Sequence, residues 1–211
     1  MEELSIWGQV TIIVVTAATG ALGWVGRRLW DRYDEKRKTK EIEKNSWNYK
    51  LSSYRDISLL LKRILQDTGA VRVLLLKCTN GGDIPKIDST LYSSIVLEEF
   101  DDSFGVSIYD EWQQRRIDKH YTEMLVELNS KGSVVLSVTD CPPETILGSL
   151  YLKSGITGSR IYKIASTPSK YFYLVANYTG KVDSGDPNSD YTYGLVIDSL
   201  QQIFKKYAFI E

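Results

Sequence analysis

From Leu4 to Gly26 the chain carries no charged residue, and Glu3 and Arg27 bound the run. No other feature restricts the fold of its own segment so tightly. A helix of about 20 such residues crosses the roughly 30 Å hydrocarbon core of a bilayer. It also satisfies its own backbone hydrogen bonds there. The densest part reads VTIIVVTAATGALGWV, with Trp7 near one end and Trp24 and Trp30 near the other, where interfacial anchors stand. A buried core helix would show a polar face, and this run offers little beyond Gln9 and threonines. A cleavable signal needs a positively charged start, whereas this chain opens Met1, Glu2, Glu3, and "ATGA" is only a weak cleavage site. The expectation is an uncleaved transmembrane anchor over residues 1–26.

The flanks give its orientation. The stretch after it holds eight basic residues, Arg27, Arg28, Arg32, Lys36, Arg37, Lys38, Lys40 and Lys44, with five acids between them. The flank before the run has no Lys or Arg. The positive-inside rule then puts the N-terminus outside and residues 46–211 in the cytoplasm. Residues 27–45 read as a charged juxtamembrane helix or linker, braced by pairs such as Asp34–Lys38. Small residues recur four apart (Thr16 and Gly20, Ala17 and Ala21, Thr19 and Gly23), a spacing that lets two such helices approach closely. A homodimer through the anchor and flanking helices is therefore expected as a possible assembly.

Residues 46–211 carry 18 Lys/Arg against 20 Asp/Glu, which argues against a binder of nucleic-acid phosphates. Cys78 and Cys141 are too few for a disulfide framework and lack metal-ligand spacing. Two reduced thiols fit the cytoplasmic side.

Periodicity divides this part into elements. Residues 46–69 read as an amphipathic helix with Leu51, Tyr54, Ile57, Leu61, Ile64 and Leu65 on its buried stripe, stopped at Gly69. Residues 70–78 are apolar on both faces, hence a central strand, and 91–100 a second strand. Residues 106–132 read as one long helix with Ile108, Trp112, Ile117, Tyr121, Leu125 and Leu128 inward. Then come a strand over 133–139 and a short helix over 142–154 with two prolines in its first turn. A hairpin follows, 159–166 and 170–178, around Thr167-Pro168-Ser169. A last helix is expected from Asp190 to Tyr207, with Val196, Leu200, Ile203, Phe204 and Tyr207 buried. The class is α+β around one mostly antiparallel sheet flanked by helices.

This order, α-β-β-α-β-α-β-β-α over about residues 46–208, resembles GAF domains, the relatives of PAS domains. The resemblance implies that the first and last helices pack on one sheet face and the middle helices roof a pocket on the other. It also implies a ligand-sensing or dimerising regulatory module. The Cys-His pair of bilin-binding members is absent, as is the Asn-Lys-Phe-Asp-Glu pattern of cyclic-nucleotide binders. No cofactor is carried over, so the ligand stays unknown.

Candidate ligand residues are Asn80, Gly81 and Gly82 in KCTNGGDIPK, Asp140 where a strand gives way to a helix, and Arg160, Tyr162, Tyr173 and Asn177 on the hairpin, with Tyr171 beside them. Glycines let a backbone approach a ligand, though the same Asn-Gly-Gly suits a tight connection between strands. Aromatic platforms take flat ligands. The acids Glu98, Glu99, Asp101 and Asp102 lack the spacing of a calcium loop, and no metal site is assigned. A helix N-terminus would lower the thiol pKa of Cys141, but His120 is the only histidine and nothing places it near that thiol. No catalytic residue is assigned. Three functions remain in play: a membrane-anchored sensor, a membrane tether or scaffold without a ligand, and an enzyme resting on Cys141 and the acids, which is not expected.

Overall fold

A computed structural model describes residues 27, 28, 30–34, 36, 37, 50–80, 90–180, 182 and 187–206. The chain divides into two units, Met1–Lys50 and Leu51–Glu211. In the first, residues 27, 28, 30–34, 36 and 37 are helical, with Trp30 and Tyr33 exposed. The anchor expected before them lies outside the described residues. Among the described residues no helix is long and apolar enough to cross a membrane.

The second unit is built on β1 (Arg72–Thr79), whose residues Arg72 to Leu76 are all buried. An apolar run of that kind belongs between two covered faces. Among the described residues six strands form one sheet in the order β3-β2-β1-β6-β5-β4, every pair antiparallel. They are β1, β2 (Tyr92–Phe100), β3 (Arg115–Arg116), β4 (Ser133–Ser137), β5 (Gly158–Ser166) and β6 (Lys170–Tyr178).

Alternation along the strands makes two cores. On one face Val73, Leu75, Phe172, Leu174 and Ala176 meet two helices: α1 (residues 51–68 of this unit) and α4 (Pro187–Lys206). Ile57, Leu61 and Ile64 are the buried stripe of α1, and Val196, Leu200 and Phe204 that of α4. Phe172 and Phe204 meet edge to face at 4.8 Å, a favoured aromatic geometry. On the other face Leu74, Leu76, Ile161, Tyr173 and Val175 meet α2 (Lys119–Lys131) and α3 (Ile146–Ser154). Burying each such aliphatic side chain is worth about 1.5–3 kcal/mol.

Several expected boundaries move. Residues 106–118 do not join α2. They form a 3-10 turn, Asp110–Trp112, and the edge strand β3. Gln114 has φ 51°, and Gln113 donates to the Ile95 carbonyl at 3.0 Å while Gln114 N–H donates to Ser94 at 2.9 Å. The open side of β2 thus captures this stretch. The α2 helix starts instead at Asp118, whose carboxylate accepts from Tyr121 N–H at 2.8 Å and from Ile146 N–H at 2.7 Å. One side chain therefore caps α2 and pins the start of α3, as N-terminal donors require.

Pro142 and Pro143 precede α3 rather than opening it, because Thr145 is its N-cap. The strand expected over 133–139 ends at Ser137, in a 3-10 turn Val138–Asp140. The last helix begins at Pro187, and Tyr207 lies outside the described residues. Leu51 and Tyr54 are exposed, not buried. At 3.6 residues per turn Leu51 sits about 120° round the helix from Ile57, off the stripe that meets the sheet.

Candidate functional site

Strand register sorts the expected site residues. Arg160 opposes Ala176 and Tyr162 opposes Leu174, while Ser159 opposes Asn177 and Lys163 opposes Tyr173. Opposed residues share a face. Arg160 and Tyr162 therefore face α1 and α4, and Tyr173 and Asn177 face α2 and α3. The expectation of a single hairpin surface holding Arg160, Tyr162, Tyr171, Tyr173 and Asn177 is corrected, since even and odd positions along a strand diverge.

On the first face Arg160 is structural. Its Nη1 lies 2.6 Å from Asp190 Oδ1 in the first turn of α4, and the guanidinium carbon lies 5.3 Å from the Tyr193 ring centre. Burial alone would lower the Arg160 pKa, and hydrogen bonds to Asp190 and Tyr162 more than offset it. Tyr162 stacks on Tyr193 at 4.8 Å, and the Tyr193 hydroxyl bonds that of Tyr178. The cluster fixes the start of α4 on β5 and β6.

On the roofed face the interior is filled. The Tyr173 hydroxyl lies 2.6 Å from that of Tyr121 and 2.7 Å from Ser93 Oγ. Tyr151 donates to Ser159 at 2.7 Å, and Ser159 donates to Asn177 Oδ1 at 2.6 Å. Burial pushes the Tyr121 phenol up to about 12. The space left between these residues and Trp112 is about 20 Å³, room for a water and not for a ligand. Asn177 and Tyr173 are thus committed to side-chain hydrogen bonds.

A larger space opens beside that interior. Thr122, Leu125, Val126 and Asn129 form one row of α2, at the spacing that puts residues on one helix face. Cys78 and Tyr171 oppose each other across β1 and β6, and Leu91 precedes β2. Thr167 to Lys170 close the hairpin, held where Thr167 Oγ1 accepts from Lys170 N–H at 3.0 Å. Between these walls lies a predominantly apolar cleft of about 380 Å³. Its size falls within the range of small-molecule sites. Burial pushes the Cys78 thiol up to about 11. Burial, with Cys78 beside it, pushes the Tyr171 phenol up to about 12. Both groups are protonated near neutral pH. The Tyr171 hydroxyl is buried and has no hydrogen-bond partner among the described residues.

The other expected residues stand elsewhere. Asp140 accepts from Ser137 N–H at 2.8 Å and caps the 3-10 turn. Asn80 follows β1 half-buried, and Gly81 and Gly82 lie outside the described residues. Cys141 does not sit at a helix N-terminus, because α3 starts at Ile146. Burial, and after it Asp140, push its thiol pKa up, away from thiolate reactivity. Alternation separates the acids: Glu98 pairs with Arg72, Glu99 meets Ser58 and Lys62 of α1, and Asp101 binds Ser103. Among the described residues no cluster of three His, Cys, Asp or Glu could hold a metal ion.

The cleft residues escaped sequence reasoning, Tyr171 excepted. The signal available was Val126, an apolar residue outside the buried stripe of α2 and 65% exposed.

The fold is GAF-like. No family model and no curated protein matches the sequence. Among solved structures the chain is similar to the GAF domain of a two-component sensor histidine kinase from Bacillus halodurans, with TM-score 0.50 and 13% identity over 72% of this chain and 93% of that one. It is also similar to a far-red cyanobacteriochrome photoreceptor, with TM-score 0.56 and 10% identity over 82% and 97%. A third is a red/green cyanobacteriochrome in its green-light-absorbing state, with TM-score 0.54 and 10% identity over 75% and 97%.

Proposed function

We propose that this chain is a membrane-held, non-catalytic regulatory module that reads a small ligand in the cleft between α2 and the β5–β6 hairpin. The observation that carries the reading is the cleft itself: about 380 Å³, mainly apolar, beside an interior that is already full. The GAF-like fold supports it, since structural neighbours belong to a sensor kinase and to photoreceptors.

The uncharged run Leu4–Gly26 supports a single span, and the basic flank Arg27–Lys44 supports a cytoplasmic domain. Exposed Trp30 and Tyr33 beside Arg27 and Arg32 suit a seat at the headgroups. Self-association through the small-residue face of the anchor belongs to the same proposal. Nucleic acid does not, given the domain's slight acidic excess. The raised thiol pKa of Cys141 supports a non-catalytic role.

The route outward runs along β6. Tyr171 lines the cleft, and its neighbour Phe172 points to the opposite face, against Phe204 of α4. A ligand that reseats the hairpin therefore acts on α4 through one peptide unit. Coupling of this kind requires the ligand to favour one arrangement over the other.

A second reading, a ligand-free tether, draws on the filled interior and on the apolar residues that α1 exposes, Leu51, Tyr54 and Leu59. A thermal-unfolding screen of the full chain in detergent, against metabolites and common cofactors, separates the two. The sensor reading expects a saturable rise in stability, about 2.7 kcal/mol at a hundredfold excess over the dissociation constant. Val126→Trp, which fills the cleft mouth, is expected to abolish that rise while the protein stays folded. A flat screen favours the tether, and a rise that survives Val126→Trp puts the ligand outside this cleft.

A further inference from the structure

The chemistry of the cleft walls restricts what it takes. The floor is apolar: Cys78, Leu91, Leu125, Val126 and the Tyr171 ring. The hydroxyls of Thr122 and Thr167 are already used, the first donating to the Asp118 carbonyl at 2.9 Å and the second holding the hairpin turn. The Tyr171 hydroxyl is the buried donor in the lining that lacks a partner among the described residues. A buried donor left without an acceptor costs about 1–3 kcal/mol, so a ligand that supplies one gains what the free protein lacks.

Charge points the same way. Lys170 is in the lining, and Lys163 Nζ lies 5.8 Å from the Tyr171 ring centre, held by Asn129 Oδ1 at 2.8 Å. Among the described lining residues there is no carboxylate. The nearest acids of α2 are turned to its own lysines, Glu123 to Lys119 and Glu127 to Lys131. An ammonium head would meet two like charges, which the neutral phenol oxygen, able to accept as well as donate, does not offset. An anionic acceptor would meet Lys170 in the lining, Lys163 beside the Tyr171 ring and a hydroxyl that is unpartnered among the described residues.

We propose that the cleft binds a small apolar carboxylic acid, its hydrocarbon body against Leu125 and Val126 and its carboxylate at the Tyr171 hydroxyl with Lys163 nearby. The proposal rests on the cleft reading above and adds the ligand's class to it.

The test is isothermal titration calorimetry of the full chain in lipid nanodiscs, with empty nanodiscs subtracted. The probes are 4-phenylbutyrate, 4-phenylbutan-1-ol and 4-phenylbutylamine, which share one body and differ in the head. The acid is expected to bind at least tenfold more tightly than the amine, with the alcohol between them. Tyr171→Phe is expected to weaken the acid about tenfold, as loss of one hydrogen bond to a charged acceptor does. It keeps the ring and the fold. Val126→Trp is expected to abolish binding of all three. Equal binding of amine and acid, or an acid unaffected by Tyr171→Phe, overturns the ligand class while leaving the cleft as a site. Binding that survives Val126→Trp, or no binding by any probe, removes the cleft reading as well.

Discussion

Arg72→Ala is expected to destabilise the domain by about 3–5 kcal/mol, the usual result of leaving one member of a buried ion pair alone. Arg72 and Glu98 side chains are each 3% exposed, and Arg72 Nε lies 3.0 Å from Glu98 Oε1. The guanidinium also donates to the Val106 carbonyl at 2.7 Å, and its carbon lies 5.8 Å from the Phe100 ring centre and 5.6 Å from that of Phe104. Glu98 in turn accepts from Ser107 and from Ile108 N–H. Removing Arg72 strands a carboxylate and frees the loop from Asp101 to Ile108. The diagnostic comparison is Arg72→Met with Glu98→Gln, which removes both charges and keeps acceptors for Ser107 and Ile108. Urea unfolding followed by far-UV circular dichroism should show the double variant more stable than Arg72→Ala by about 1–2 kcal/mol. A single variant within about 0.5 kcal/mol of wild type would mean that the pair is not buried as described.

The second large effect is expected at Gly148. Helix propensity alone favours alanine there by about 1 kcal/mol. Packing opposes it, because a Cβ at that position would come 2.0 Å from the Pro142 carbonyl oxygen and 2.8 Å from that of Cys141. The segment before α3 lies directly on the helix backbone. Gly148→Ala is therefore expected to cost about 3 kcal/mol, the upper range for an overpacked core. It should also expose Cys141, which is 4% accessible. Thiol labelling by a disulfide reagent reads that release, and faster labelling together with a lower unfolding midpoint is the expected outcome. A stabilised variant would show that the close approach is wrong.

The parts of the fold that the sequence discloses are those where a single period governs. The apolar run of β1 implies two covered faces, and the hairpin turn at Thr167 joins β5 to β6 as expected. Where two structures share one hydrophobic pattern, the pattern misleads. Ile108, Trp112, Ile117 and Tyr121 are all buried as expected, yet their steps are four, five and four residues. The step of five, which no 3.6-residue period accommodates, marks the break into the 3-10 turn and β3. The site was the least legible part. Arg160, Tyr162, Tyr173 and Asn177 have the right chemistry for a ligand, but alternation splits them between faces and hydrogen bonds commit them to structure. The cleft depends on Cys78 meeting Tyr171 across β1 and β6, a pairing that no local window of sequence contains.

The central claim is that ligand binds between α2 and the hairpin and not under the roof. Methyl-labelled NMR of the full chain, titrated with 4-phenylbutyrate, tests it most directly. The expected result is shifts of Leu91, Leu125 and Val126 that saturate together, with Leu74, Leu147 and Val175 of the filled interior unmoved. Shifts centred on Leu74, Leu147 and Val175, or on the Leu59 and Leu60 surface of α1, would contradict the account.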